Sequence, residues 1–319
     1  MPVPVVRGDL DVLRVLLARR GTAPGARSDP HRVALVVGGG GMRGAYSAGV
    51  LHALERAGLR TGFDEVYGAS SGAVAAASFL TGDAAACAAA YPEDMATPAF
   101  VDLRRLGTRR PVVLLDHLFT AVLCGTKPLP WELLRDQPVP LHVVATDAAD
   151  LTPHVLRGLD TVADWQRGLR ASATIPLLAG PPVAHGGRRW VDGSVGEPLA
   201  TLRALRGGAT HVLVVVCRPE SELRGDGGTA GPSSWARALD RVVPGLGTVA
   251  QGSRRYGADL RVVTAAAHPD RGPGHLLALG PSRSVGLGAL GVDPVVVGAA
   301  VAVGDASAGA AIAHAAAVA

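Results

Sequence analysis

The chain has 319 residues, 48% of them hydrophobic and 18% charged, with a formal charge of +4. This describes a globular protein with a sizeable core and excludes a disordered chain. The charge is mild and no run of five basic residues exists, so the clustered basic face that nucleic-acid binding requires is missing.

Residues 1–30 read as an N-terminal extension: one short amphipathic helix over Leu10–Arg19, then a Gly/Pro/Ser loop. Arg7, Asp9, Asp11 and Arg14 interrupt any apolar leader, so no secretory signal is expected and a cytoplasmic location is the default. A transient contact with an anionic membrane surface is compatible with the charge. The periodic core, a domain spanning 31–319, opens at Val33–Val37, a continuous apolar run of the kind expected for a strand buried on both faces. A glycine run, Gly38–Gly44, follows, then a helix over Ala45–Ala57 with Gly58 in the C-cap region. A second strand ends at Tyr67, and Gly68-Ala69-Ser70-Ser71-Gly72 leads into a helix over Ser71–Leu80.

The middle, Thr81–Gln137, reads as several short helices. Within it, Leu114, Leu115, Leu118, Phe119, Val122 and Leu123 are candidates for an apolar wall or lid, or for plain cover of the sheet. Arg104-Arg105 and Arg109-Arg110 are the nearest approach to a basic patch and read as a solvated face. Leu141–Thr146 is the next strand, Thr161–Arg170 a helix followed by Ala171-Ser172-Ala173, and Arg189–Val191 a short strand entering the turn Asp192-Gly193-Ser194. His211–Cys217 is a fourth buried strand. Residues 219–234 form a low-complexity loop, and Leu260–Val263 reads as strand beyond it. The apolar, Ala-rich stretch from Pro294 suggests a packed terminal helix pair in preference to a membrane span, because Asp305, Ser307 and His314 interrupt it. Alternating strands and helices predict an α/β fold, a mainly parallel central sheet covered on both faces.

Two stretches carry chemistry. A glycine run without Cβ atoms brings main-chain N–H groups close to a ligand, and at the start of a helix it makes an anion pocket. Gly39-x-Gly41-x-x-Gly44 also matches a dinucleotide fingerprint, but the next strand ends in Gly68-Ala69-Ser70 where an acidic ribose contact is expected. Gly-Lys-Ser/Thr is missing too, so a P-loop is not supported. An oxyanion hole needs only the backbone. Gly68-x-Ser70-x-Gly72 at a strand-to-helix junction fits a nucleophile elbow, whose ±2 neighbours must be small. Ser70 is then the nucleophile, and Ser71 is placed to cap the helix.

A serine hydroxyl needs a base. His211 opens a strand, His268 and His275 sit in Pro/Gly loops, His314 lies near the C-terminus, and none has a distinctive setting. Asp192 ends a short strand before a glycine, where its carboxylate either serves the serine or merely bonds its own turn. Cys87, Cys124 and Cys217 are widely spaced and form no CxxC or Cys/His cluster, which supports neither disulfides nor a zinc site, and no metal or cofactor is implied.

Taken in order, Gly38–Gly44, Gly68–Gly72, Ala171-Ser172-Ala173-Thr174-Ile175-Pro176 and Asp192-Gly193-Ser194 resemble the patatin-like phospholipase family, over roughly Val33–Leu205, with 206–319 less marked. The resemblance implies a three-layer α/β/α sandwich and a Ser70–Asp192 dyad. It implies an oxyanion hole shaped by the loop Gly39, Gly40, Gly41, Met42, Arg43 and Gly44, with Arg43 helping to order it. Gly68 and Gly72 would flank the elbow, and Gly193 and Ser194 would complete the dyad turn, Ser194 adding a hydrogen bond to Asp192. Lipid acyl esters are the implied substrates, cleaved without cofactor. Two positions depart from the family pattern: Gly38 stands where Asp is frequent, and Ser194 where Gly or Ala is common. A nucleotide-binding oxidoreductase or regulator, and a non-catalytic scaffold, are the alternative functions.

Overall fold

In the computed structural model, residues 5–219, 237–238, 240–241, 244 and 274–318 are described. In chain order the first elements are β1 (Val5–Gly8), α1 (Asp11–Ala18), β2 (Val33–Val37), α2 (Gly44–Arg56), β3 (Glu65–Ala69), α3 (Ser71–Thr81) and α4 (Ala84–Ala90). Next come two π-helical segments, Tyr91–Met95 and His117–Thr126, then α5 (Trp131–Asp136), β4 (Leu141–Asp147), β5 (Pro153–Val155), α6 (Val162–Ala173), β6 (Val183–His185) and β7 (Arg188–Asp192). The chain continues with α7 (Gly193–Gly196), α8 (Thr201–Arg206), β8 (His211–Val215), β9 (His275–Gly280) and a C-terminal helix, Pro294–Ala317.

The strands form one nine-stranded sheet in the order β1-β9-β8-β2-β3-β4-β7-β6, with β5 also paired to β4. The five central strands, β9 through β4, run parallel, and antiparallel strands flank them on both sides. Alternation along each central strand feeds two apolar layers. Val33, Leu35, Val37, Leu213 and Val215 join the large core with α1, α2 and α3, while Ala34, Val36, Val212 and Val214 join a smaller layer that includes Leu199, Ala200 and Ala204. Burial on both faces is why these strands read as continuous apolar runs.

The parallel order steps from β2 to β3 and β4 in one direction and to β8 and β9 in the other. The connection after β2 therefore lies at the switch point of the sheet, where open α/β sheets hold ligands. That connection is the glycine run.

Most boundaries fall within a residue or two of expectation, and four differences have clear causes. The first 30 residues are not an appendage: β1 adds an edge strand beside β9, and Val12, Leu13 and Leu16 lie fully buried in the main core. Ala171-Ser172-Ala173 belongs to α6, started by a Thr161–Asp164 capping box. His275 opens strand β9 and does not sit in a loop. The C-terminal stretch is one helix, not a pair; it is long and apolar enough to cross a membrane by length and composition, and it packs on α2. All of the loop at 219–234 beyond Pro219 and the whole strand at 260–263 lie outside the described residues, as does His268.

Candidate active site

β3 ends at Ala69 and α3 begins at Ser71, so Ser70 must turn the chain within one residue. It does so at φ 56° and ψ −131°, a conformation that costs a non-glycine residue about 1–3 kcal/mol and persists only when its surroundings enforce it. A Cβ on Gly68 would stand 2.5 Å from Ala73 Cα, and one on Gly72 2.3 Å from the Val37 carbonyl oxygen, so both neighbours must lack a side chain. Ser172, fully buried on α6, holds the turn: its Oγ accepts the Ser70 N–H at 2.9 Å and donates to the Val144 carbonyl at 2.6 Å. The sequence marks Ser172 only as part of a motif; this role was missed, because the partner lies 102 residues away.

Strand register brings the carboxylate to the serine. Ala69 pairs with Val144, so Ser70 follows level with Ala145, whose antiparallel partner is Asp192. Ser70 Oγ donates to Asp192 Oδ2 at 2.6 Å, within the range of a charge-assisted O–H···O⁻ bond. Asp192 Oδ1 accepts the Ser194 N–H at 2.7 Å. The Asp192 main chain is fixed as well: its N–H donates to Thr174 O, and its carbonyl accepts from Thr146 Oγ1. A Cβ on Gly193 would stand 2.1 Å from Val144 O, so the turn requires glycine. Ser194, expected to bond Asp192, does so through its main-chain amide, and its hydroxyl also helps to hold the carboxyl down. Burial pushes the Asp192 carboxyl up to about 6, and the Ser70 and Ser194 hydrogen bonds pull in the other direction without cancelling it.

The glycine run is folded against this pair. A Cβ on Gly39 would stand 2.2 Å from Ser194 Oγ, 2.7 Å from Ala69 O and 2.8 Å from Ser70 Cβ. Gly41 takes φ +60°. Four of the six loop amides are spent internally: Gly40 N–H on Ser71 Oγ, Met42 on Ala289 O, Arg43 on Gly40 O and Gly44 on Gly41 O. Those of Gly39 and Gly41 have no acceptor among the described residues. Ser71 therefore does not cap its own helix; it ties the elbow to the glycine run.

Ser70, Asp192, Gly39 and Gly41 all line one cavity of about 440 Å³. Its remaining wall is largely apolar and includes Val74, Met95, Phe100, Ile175 and Leu178. Of the expected apolar wall, Leu115, Leu118 and Leu123 face the cavity, whereas Phe119 and Val122 are buried in the core and Leu114 is not part of the lining. No histidine among the described residues lines it. His211 and His275 instead stack at 4.4 Å beside Asp9 and Asp11, at the opposite ends of their parallel strands from the cavity. Asp11, His211 and His275 bring ligand atoms within 4.8 Å of one another, but the two rings are parallel to within 9°, so one ion cannot lie in both ring planes. Asp147, Asp150 and His154 make a second such group, in which Asp147 is already paired with Arg188 at 2.8 Å.

The chain is 29% identical over 189 residues to the protein YjjU of Escherichia coli K12, which carries the description uncharacterized; the match covers 58% of this chain, and the chain spans about half (52%) of that relative's length. Among solved structures it is similar to VipD from Legionella pneumophila, with 14% identity and a TM-score of 0.39 over 75% of this chain and 56% of that one. The family model for patatin-like phospholipases matches residues 35–205, just over half of the sequence, and takes in the glycine run, the elbow, Ser172 and Asp192. The chain belongs to the patatin-like phospholipase family.

Proposed function

We propose that the protein is a serine acyl hydrolase that cleaves lipid acyl esters through a Ser70–Asp192 dyad. The observation that carries this reading is the 2.6 Å hydrogen bond from Ser70 Oγ to a buried carboxylate, in the wall of a largely apolar cavity and against two uncommitted main-chain amides. Ser70 Oγ attacks the ester carbonyl carbon and passes its proton to Asp192 Oδ2. The oxyanion is held by the N–H groups of Gly39 and Gly41, with the N-terminus of α3 adding a favourable dipole. Collapse breaks the ester C–O bond, and the leaving alcohol takes the proton from Asp192. Water then attacks the acyl-enzyme by the same route. A carboxyl of pKa near 4 is a weak base for a hydroxyl; raising it to about 6 brings its proton affinity closer to the task.

Ser70→Ala and Asp192→Asn are each expected to abolish turnover of a p-nitrophenyl acyl ester, and a fluorophosphonate should modify Ser70 alone. Full activity in either variant, or labelling elsewhere, removes the dyad. The dinucleotide alternative makes the opposite prediction: thermal stabilisation by NAD(P) and indifference to the fluorophosphonate. Gly39 packs directly on Ser70 and Ser194, which favours the hydrolase.

A further inference from the structure

Residues 101–113 leave the cavity wall and return to it. Val101 and Val113 pair antiparallel, the Asp102 N–H donates to Val112 O at 2.9 Å, and the Leu114 N–H donates to Phe100 O at 2.8 Å. Phe100, Val101 and Val113 at this base line the cavity that holds Ser70. The base is also tied sideways: the Val113 N–H donates to Leu178 O at 2.7 Å, and Leu178 is itself a cavity residue.

The tip has the opposite character. Leu103 and Leu106 are 48% and 55% exposed, and Arg104, Arg109 and Arg110 are exposed around them. The segment 101–113 carries four arginines (Arg104, Arg105, Arg109 and Arg110) and one carboxylate, Asp102, which bonds Arg104 and Arg105. Next to Leu178, whose carbonyl holds the base, Leu177 is 45% exposed at φ +68°. Half of the six large apolar side chains found exposed among the described residues thus lie on two bonded segments, 101–113 and 177–178, that also contribute to the cavity lining. Scattered exposed leucines need no explanation, but a group beside a ligand cavity does. Leucines interleaved with arginines are what an anionic bilayer accommodates: the apolar side chains enter the acyl boundary while the guanidinium groups reach back to the phosphates. A nucleic acid would use the arginines and leave the leucines without a role.

We propose that the hairpin 101–113, with Leu177, docks the protein on an anionic lipid surface and sets the cavity mouth against it. The surface thereby becomes the source of the acyl chains. The delivery role rests on the acyl-hydrolase reading, whereas the docking itself does not.

Flotation of the full chain tests it, with vesicles of phosphatidylcholine alone and of phosphatidylcholine mixed with phosphatidylglycerol. The protein should float with the mixed vesicles, less so as salt is raised, and not with phosphatidylcholine alone. The double variants Leu103→Asp/Leu106→Asp and Arg109→Glu/Arg110→Glu should each weaken vesicle binding ~10-fold or more. Both should hydrolyse a soluble short-chain p-nitrophenyl ester, and react with a fluorophosphonate, as the parent does. Because the four positions are exposed, unchanged soluble activity or an unchanged unfolding transition shows that the fold is intact. Absence of binding to mixed vesicles, equal binding to both kinds, or binding unaffected by either double variant overturns the proposal. If Ser70 fails to label while the variants still abolish binding, the docking stands and the hydrolase reading falls.

Discussion

At the scale of single residues, the site rests on one buried ionisable pair. Burial pushes the Asp192 carboxyl up to about 6 in the folded protein, from an ordinary value of 3.8. The unfolded chain releases this proton near 3.8 and the folded chain holds it until about 6, so stability falls as pH rises through that window. Above it the penalty of burying the charge is complete, about 3 kcal/mol. Asp192→Asn should therefore be inactive yet at least as stable as the parent at pH 8, and the parent's advantage should return below pH 4; chemical denaturation at the two pH values measures both. For the same reason, kcat/KM on a soluble ester should rise with pH through about 6, as the base ionises. Ser172→Ala leaves the buried Ser70 N–H and Val144 carbonyl without their partner, at a cost of about 1–3 kcal/mol. As a positioning residue it should lower kcat with little change in KM, since it touches the turn and not the acyl chain; an unchanged kcat would leave Ser172 a structural residue only.

At the scale of elements, the C-terminal helix shows what composition alone leaves open. Its mean hydropathy suits a membrane span, yet Val297, Ala300, Gly304, Ala308, Ala311 and Ala315 are buried inside the protein at helical spacing. Gly304 meets α2 where a Cβ would stand 2.1 Å from Tyr46 O, and Gly49 of α2 meets the C-terminal helix where a Cβ would stand 2.0 Å from Val301 O. The two glycines let the helix backbones touch. Gly304→Ala should thus lower the unfolding midpoint, because backbone cannot yield cheaply. Gly309→Ala, with nothing within 4 Å and no positive φ, should stabilise by about 0.5–1 kcal/mol. Thermal unfolding of the two variants gives opposite signs if the crossing is as described. α2 also carries the glycine run at its N-terminus, so this packing reaches the site.

At the scale of the whole molecule, Arg19, with Arg27 beside it, ties the first 30 residues to the sheet. Arg19 donates to Asp29 through Nε and Nη2 at 2.9 and 2.6 Å, to Asp64 Oδ2 and the Gly62 carbonyl at 2.8 Å, and to the His31 carbonyl at 2.7 Å. Arg19→Met removes the cation of Asp29 and one of the two that hold Asp64, Arg27 being the other, and should lower the denaturation midpoint. The Arg19 hydrogen bonds hold Asp29 down at about 2, so this part of the stability is present above pH 3.8 and lost as pH falls towards 2.

The sequence by itself determined the elements and the local chemistry. Val33–Val37, the glycine run and Gly68–Gly72 are contiguous, and their conformations follow from side chains that are absent or β-branched within a few residues. The sharp turn at Ser70 and the turn at Asp192 were legible for that reason, as was the family. Only the tertiary structure decided which groups meet. The Ser70–Asp192 bond spans 122 residues, the Ser172 support 102, and the arginine–leucine hairpin gains its meaning from standing beside a cavity that no linear pattern displays. Strand register is set by burial across the whole sheet, and a one-residue slip would send Asp192 to the opposite face. Which loop amides remain uncommitted was equally out of reach, since Ser71 and Ala289 claim theirs from other segments.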